Sequence, residues 1–321
     1  MRREIGGYLE LERFYGPMLH EGDIALNCGR ACLEYLIELR GIRCIWLPDF
    51  LCSSVPNLCR KADVEVRPYR IGEGFRPVYD FAVVEGEWLY QVDYYGQLSQ
   101  ADVDTALEAS NGRLIVDESQ GYYRPPWKGA DTLYTCRKWF GVADGAFLHT
   151  YDGARLGRHL PRSESFDKMG FVLGRFERSA GEFFAESKVN NARFADEPMA
   201  GMSALTENLL HAVDYGAAKE RRLANWSALH SALGTSNCLS LAVPDVPFMY
   251  PYMVEDADGV RGRMAAEGVF VPMLWPNVPK DPRAGRMAID FSNSILPLPV
   301  DQRYGADDME RVLEVVGRCV C

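Results

Sequence analysis

The chain has 321 residues, 47% of them hydrophobic, enough for a full core in one large α/β domain with a smaller appendage. Its formal net charge of −10 and pI near 5.1 argue against a nucleic-acid partner, because polyanion binding draws on a basic face that releases counterions. No window approaches the roughly eighteen continuous apolar residues of a spanning helix, and the opening MRREIGGYLELERFYG lacks the apolar core of a signal peptide, so a cytoplasmic chain with no membrane partner is expected.

Residues 1–20 mix aromatic and charged side chains without a period, which suits an arm laid over another surface. Ile24-Ala25-Leu26 leads into Asn27-Cys28-Gly29-Arg30-Ala31, and Leu33, Leu36 and Ile37 follow at helical spacing until Gly41, so a turn opens a helix here. The unpaired N–H groups and positive dipole end of such a start favour a phosphate. A strand over 44–47, a break at Pro48-Asp49, a helix over 54–61 and a strand over 64–69 imply parallel βαβ units. A strand over 88–92 runs into Asp93-Tyr94-Tyr95-Gly96-Gln97, and a helix over 102–110 ends at the Asn111-Gly112 turn.

Leu114-Ile115-Val116 is a short apolar strand that stops at Asp117, Thr132-Leu133-Tyr134-Thr135 is a second one that leads to Lys138, and 145–148 forms the strand leaving that place. The stretch 152–198 carries no legible period. One long helix is expected over 202–233, with Leu205, Leu209, Ala212 and Val213 on one face and Lys219, Arg221 and Arg222 in its solvated middle. Beyond Gly234, strands at 239–243 and 269–271, a helix over 259–267, the segment 294–300 and a final amphipathic helix over 308–316 read as a small α+β domain. The division is therefore an arm at 1–20, a large domain at 21–235 and a small one at 236–321. The nine cysteines are odd in number and lack paired C-x-x-C spacing, so reduced thiols and no metal site are expected, with Cys319 and Cys321 an incomplete ligand set.

Asp117 and Lys138 are the candidate working pair. A parallel sheet delivers ligand groups at its carboxyl edge, and an aldehyde cofactor such as pyridoxal 5'-phosphate (PLP) needs a lysine amine to bind it covalently and a carboxylate to keep its ring nitrogen protonated. His149 and His230 have no partner in the sequence. Tyr122, Tyr123, Trp127 and Arg124 could pack, or could receive a sugar or nucleotide.

Asp117-Glu118-Ser119-Gln120, Thr135-Cys136-Arg137-Lys138 and Gly141-Val142-Ala143-Asp144-Gly145 together resemble the fold-type I PLP enzymes, specifically the DegT/StrS sugar aminotransferases. The resemblance covers most of the chain and is strongest over 24–148. It implies an α/β fold with a mostly parallel central sheet, Lys138 as the covalent attachment point and proton carrier, and Asp117 at the ring nitrogen. It further implies Gln120 at the ring's phenolic oxygen, Ser119 against the ring, and Gly29, Arg30, Ala31 and Thr135 around the phosphate. The family's stacking aromatic falls on Cys52, with Phe50 two residues earlier as the other candidate. Asp93 stands where a histidine is common, and Gly201 where an arginine precedes the Met202 helix. Asn190 or Asn191 matches an asparagine that reaches a neighbouring subunit's phosphate, and Arg137 suits an ion pair as well as a ligand. The implied activity is transfer of an amino group from a donor such as glutamate to a keto sugar, nucleotide-linked or free, by a homodimer with shared sites. The alternatives are a PLP enzyme acting on another amine or keto acid, and a protein that keeps the fold without turnover.

Overall fold

The computed structural model describes residues 5–320. The first four residues of the expected arm, and Cys321 of the terminal thiol pair, lie outside them. Seven strands form the central sheet: β1 (Ile24–Leu26), β2 (Cys44–Pro48), β3 (Glu65–Tyr69), β4 (Glu87–Val92), β5 (Leu114–Asp117), β6 (Asp131–Thr135) and β7 (Ala146–His149). They lie in the order β1-β7-β6-β5-β4-β2-β3, and β7 runs antiparallel to both of its neighbours while β2 to β6 are mutually parallel. Strands of this kind are covered on both faces, which is why β5 and β6 are buried at every position, β5 as an apolar run up to Asp117 and β6 with Asp131, Thr132 and Thr135 buried beside Leu133 and Tyr134. Consecutive parallel strands leave their carboxyl ends on one edge, so the residues after β4, β5 and β6 share a single rim.

Helices α1 (Gly29–Arg40), α2 (Ser54–Lys61) and α3 (Gln100–Ala109) connect these strands. The first closes on Gly41, whose left-handed φ of 62° lets its N–H reach the Ile37 carbonyl, a conformation that costs glycine little. The third begins earlier than its apolar period indicates, because Ser99 and Asp102 cap each other's backbone. In the illegible stretch lie α4 (Gly170–Glu177) and α5 (Phe184–Arg193), and the apolar side chains that obscured the pattern stand in solvent: Phe176 is 92% exposed and Val189 69%.

The single helix expected over 202–233 is two, α6 (Ala204–Leu210) and α7 (Tyr215–Leu233). Its apolar spacing continues through the break, but Asp214 accepts from Ala217 N and starts α7 afresh, while His211 is drawn to the N-terminal segment. Gly16 N donates to His211 O at 3.1 Å, and Asn208 bonds both Phe14 N and Glu12 O, so part of the expected arm docks on its own chain. Arg222 is likewise not solvated. It is 1% exposed, lies 4.3 Å from the Trp139 ring centroid, and donates to Gln302 Oε1 and the carbonyls of Pro247 and Phe248.

The remainder forms β8 (Met249–Met253), α8 (Ala257–Ala266), α9 (Arg286–Ser294), β9 (Ile295–Pro299) and α10 (Ala306–Val320), with β8 and β9 paired antiparallel. Neither 239–243 nor 269–271 is a strand. Ala242 instead bonds the Gln97 side chain through both its N–H and its carbonyl, which holds that segment against the loop after β4 rather than in a ladder. The second core joins Trp226 and Leu229 of α7 to Tyr250, Leu296, Val312 and Val316.

Candidate functional site

Asp117 ends β5 and is 8% exposed. Its Oδ2 accepts from the Tyr90 hydroxyl at 2.7 Å and its Oδ1 from Ser119 N at 2.8 Å, so the carboxylate is oriented from two sides while each oxygen keeps a lone pair. Tyr90 comes from β4 and carries no signal as a site residue in the sequence, because it reads as an ordinary strand aromatic. Ser119 is buried, and its carbonyl accepts from Trp139 Nε1 at 3.1 Å, which ties the loop after β5 to the residue following Lys138. Gln120 is 1% exposed and its Oε1 accepts from Tyr95 N at 2.8 Å. That bond fixes the amide's orientation and leaves its NH2 as the free donor. Tyr95 holds a left-handed φ of 56° to present that N–H, a conformation uncommon for a bulky residue.

Lys138 closes a 3-10 turn after β6, is exposed, and forms no ion pair among the described residues; its Nζ stands 5.8 Å from the Phe248 ring centroid. Thr135, at the end of β6, meets the start of α1: a Cβ built on Gly29 would stand 3.8 Å from that of Thr135. The cap residue of α1, Cys28, makes no side-chain capping bond, so the first N–H groups of Gly29, Arg30 and Ala31 remain available to an anion. The structure thus joins the Gly29 turn to Thr135 and sets Asp117, Ser119, Gln120 and Lys138 on the same rim.

Two sequence expectations are corrected. Phe50 is wholly buried, packed against Tyr94, Trp275 and Phe291 with ring centroids 4.5 to 5.5 Å away, so it offers no open face to a cofactor ring. Cys52 is half-buried, its Sγ 2.9 Å from Ser54 Oγ. Asn190 does not project toward a neighbouring molecule: it is 5% exposed, donates to Ala143 O at 3.0 Å and accepts from Arg193 Nε at 2.9 Å. The exposed residue is Asn191, which bonds Arg137 through its side chain and Arg30 through its carbonyl.

A carboxyl pair lies beside the same rim. Asp93 and Glu118 are both fully buried, and a Cβ on Gly121 would stand 1.8 Å from Glu118 Oε2 and 2.8 Å from Asp93 Oδ2, so two carboxyl oxygens crowd one spot that only glycine leaves open. Burial raises Glu118 well above the ordinary carboxylate range and the Asp93 charge raises it further, against the bond from Trp127 Nε1 and the Arg124 charge. Asp93 is raised too, chiefly by burial, with Arg124 drawing it back. One proton between the two is the state this geometry favours. Nothing in the sequence marks Glu118 off from a loop carboxylate. Elsewhere His149 Nδ1 lies 2.9 Å from Asp23 Oδ1 and His230 stacks on Trp226, so both serve packing and polar satisfaction. Among the described residues no three metal-ligating side chains converge, and no helix is long and apolar enough to cross a membrane.

No protein-family model matches the chain, and no curated protein matches it. Solved structures do. An aminotransferase of the DegT/DnrJ/EryC1/StrS group from Brucella abortus superposes with a TM-score of 0.62 at 15% identity, covering 92% of this chain and 85% of its own. The sugar aminotransferase CalS13 from Micromonospora echinospora gives 0.62 at 13%, covering 92% and 86%. NtdA from Bacillus subtilis, solved with bound pyridoxamine phosphate, gives 0.64 at 14%, covering 92% and 73%. At these identities the likeness establishes the fold alone, a mixed α/β fold shared with these aminotransferase structures.

Proposed function

We propose that this chain, which has the fold of the DegT/DnrJ/EryC1/StrS aminotransferases, is a PLP-dependent aminotransferase that moves an amino group from an amino acid such as glutamate to a keto sugar, free or nucleotide-linked. The observation that carries the reading is the convergence on one sheet rim of Lys138, exposed and without an ion pair among the described residues, an oriented Asp117 and a helix start beside Thr135 with no side-chain cap. These residues fit the cofactor in chemical type and in order. Gly29, Arg30, Ala31 and Thr135 would hold its phosphate, Asp117 and Gln120 its ring polar groups, and Lys138 its aldehyde carbon. When bound, the cofactor supplies the electron sink that makes a proton beside the substrate nitrogen removable.

Asp117 would present its carboxylate to the protonated ring nitrogen, and Tyr90 and Ser119 N stop that carboxylate from rotating away. Lys138 Nζ, exposed at the rim, would hold the cofactor's aldehyde carbon and would serve as the base that takes up and returns the proton at the substrate carbon. The half-buried Cys52 would offer the cofactor ring a polarizable sulfur in place of an aromatic face. A homodimer is the proposed working unit. It is supported by the open setting of Lys138 and by the apolar side chains of α4 and α5, which stand in solvent beside Asn191 and the helix start. The presence together of Lys138, Asp117 and Gln120 favours turnover over a binding protein that has kept only the fold. Borohydride reduction of the protein loaded with PLP, followed by peptide mass analysis, tests the assignment: the label is expected on Lys138 and absent from Lys138→Ala. A label on another lysine would refute it.

A further inference from the structure

Three guanidinium groups gather on one ring at the start of α1. Those of Arg193, Arg137 and Arg30 lie 4.0, 4.3 and 5.9 Å from the Phe194 ring centroid. Arg193 is neutralised by Glu197 and further held by Asn190 Oδ1 and the Ala143 carbonyl. Among the described residues, neither Arg30 nor Arg137 has a carboxylate within ion-pair distance. Arg30 donates to the Asn191 carbonyl at 3.1 Å, and Arg137 to the Asn191 side chain. The Nε of Arg137 is sealed from solvent and donates to nothing. Asp144 is spent elsewhere, on Ser203 N at 2.9 Å, Ser203 Oγ at 2.7 Å and the Thr206 hydroxyl. Burial pushes Arg137 down to about 10, and the Arg30 and Arg193 charges push the same way.

Native structures leave few buried donors unpaired, and a covered charge with no counter-charge is costly. Both guanidinium groups belong to the surroundings of the helix start, because Arg30 is the second residue of α1 and Asn191 bonds Arg30 and Arg137 together. Cationic forks, helix-end N–H groups and the Thr135 hydroxyl make a donor set for a tetrahedral dianion.

We propose that Arg137, laid on Phe194 with Arg30 beside it, is the charged ligand of a phosphate monoester at the α1 start, so that this site selects the phosphorylated cofactor by charge as well as by helix-end N–H groups. The inference rests on the PLP reading above and adds a residue to it. Asn191 steadies the two arginines, and Phe194 fixes the plane of the Arg137 fork.

Titration of the apo protein with PLP, with pyridoxal and with inorganic phosphate as competitor tests it. Wild type binds PLP more tightly than pyridoxal, and phosphate competes with PLP. In Arg137→Gln, which keeps a polar contact to Asn191 and deletes the charge, PLP affinity falls roughly ten- to a hundredfold, phosphate competition is lost, and pyridoxal binding holds. PLP affinity unchanged in that variant, or a loss shared equally by pyridoxal, overturns the role of Arg137. Should Arg137→Gln not fold, Arg137→Met decides: an unbranched stem kept against Phe194 without the charge lowers PLP affinity and phosphate competition in step while sparing pyridoxal, and an unchanged profile overturns the proposal. If wild type itself fails to prefer PLP over pyridoxal, the PLP reading fails with it, whereas a wild-type preference that survives in both variants fails this inference alone.

Discussion

At the scale of single residues, the Asp93 and Glu118 pair sets a pH dependence on the loops that carry Gln120 and Asp117. The folded pKa of Glu118 lies above its ordinary 4.5, because burial and the Asp93 charge both disfavour ionisation. A group raised on folding contributes stability that is full below its unfolded pKa and is lost as pH climbs through the folded value. The thermal stability of the wild type should therefore fall as pH rises from about 4.5 upward, in the window that Glu118 titrates. Glu118→Gln keeps an oxygen for Trp127 Nε1 and removes the titration, so its midpoint should vary less with pH and exceed wild type at the alkaline end. Equal slopes for the two proteins would show that the pair carries no shared proton. Asp117, Thr135 and Lys138 were legible because each ends or follows a short apolar run. Tyr90, Glu118 and the bonding of Arg137 were not, since a strand tyrosine, a loop carboxylate and an arginine beside a lysine acquire their roles only from neighbours brought in by the fold.

Among the elements, most strands and short helices were legible, because parallel strands buried on both faces give apolar runs bounded by turns. The errors share a cause. The α6 and α7 break, the buried Arg222 and the missing strand over 239–243 all arise from tertiary bonds: to Gly16, to the Pro247 and Phe248 carbonyls, and to Gln97. Each overrides a local period that was itself correctly read. Helices α4 and α5 are the element-scale case for self-association, since Leu173, Phe176, Phe184 and Val189 all stand in solvent on these two helices, more large apolar surface than a free face usually carries. Sedimentation of the PLP-loaded protein at micromolar concentration should give a dimer, and Phe176→Asp, at a side chain 92% exposed, should shift it toward monomer without loss of fold. A wild type that is monomeric throughout would remove the proposed dimer.

For the whole molecule, the sheet order and the rim it creates explain why residues from three separate segments meet. The start of α1, the end of β5 and the end of β6 with the turn after it are apart in the chain, yet the sheet delivers them together. Amino transfer is tested by its half-reaction, which requires no knowledge of the acceptor. The PLP-loaded protein mixed with glutamate and a panel of other amino acids should convert, with at least one donor, from the aldehyde form to the amine form of the cofactor, followed by absorbance. Asp117→Asn should bind the cofactor and convert roughly a hundredfold more slowly, as loss of about 3 kcal/mol of positioned charge predicts. Conversion equally fast in Asp117→Asn would contradict the role given to that carboxylate, and no conversion by any donor in the wild type would contradict amino transfer itself.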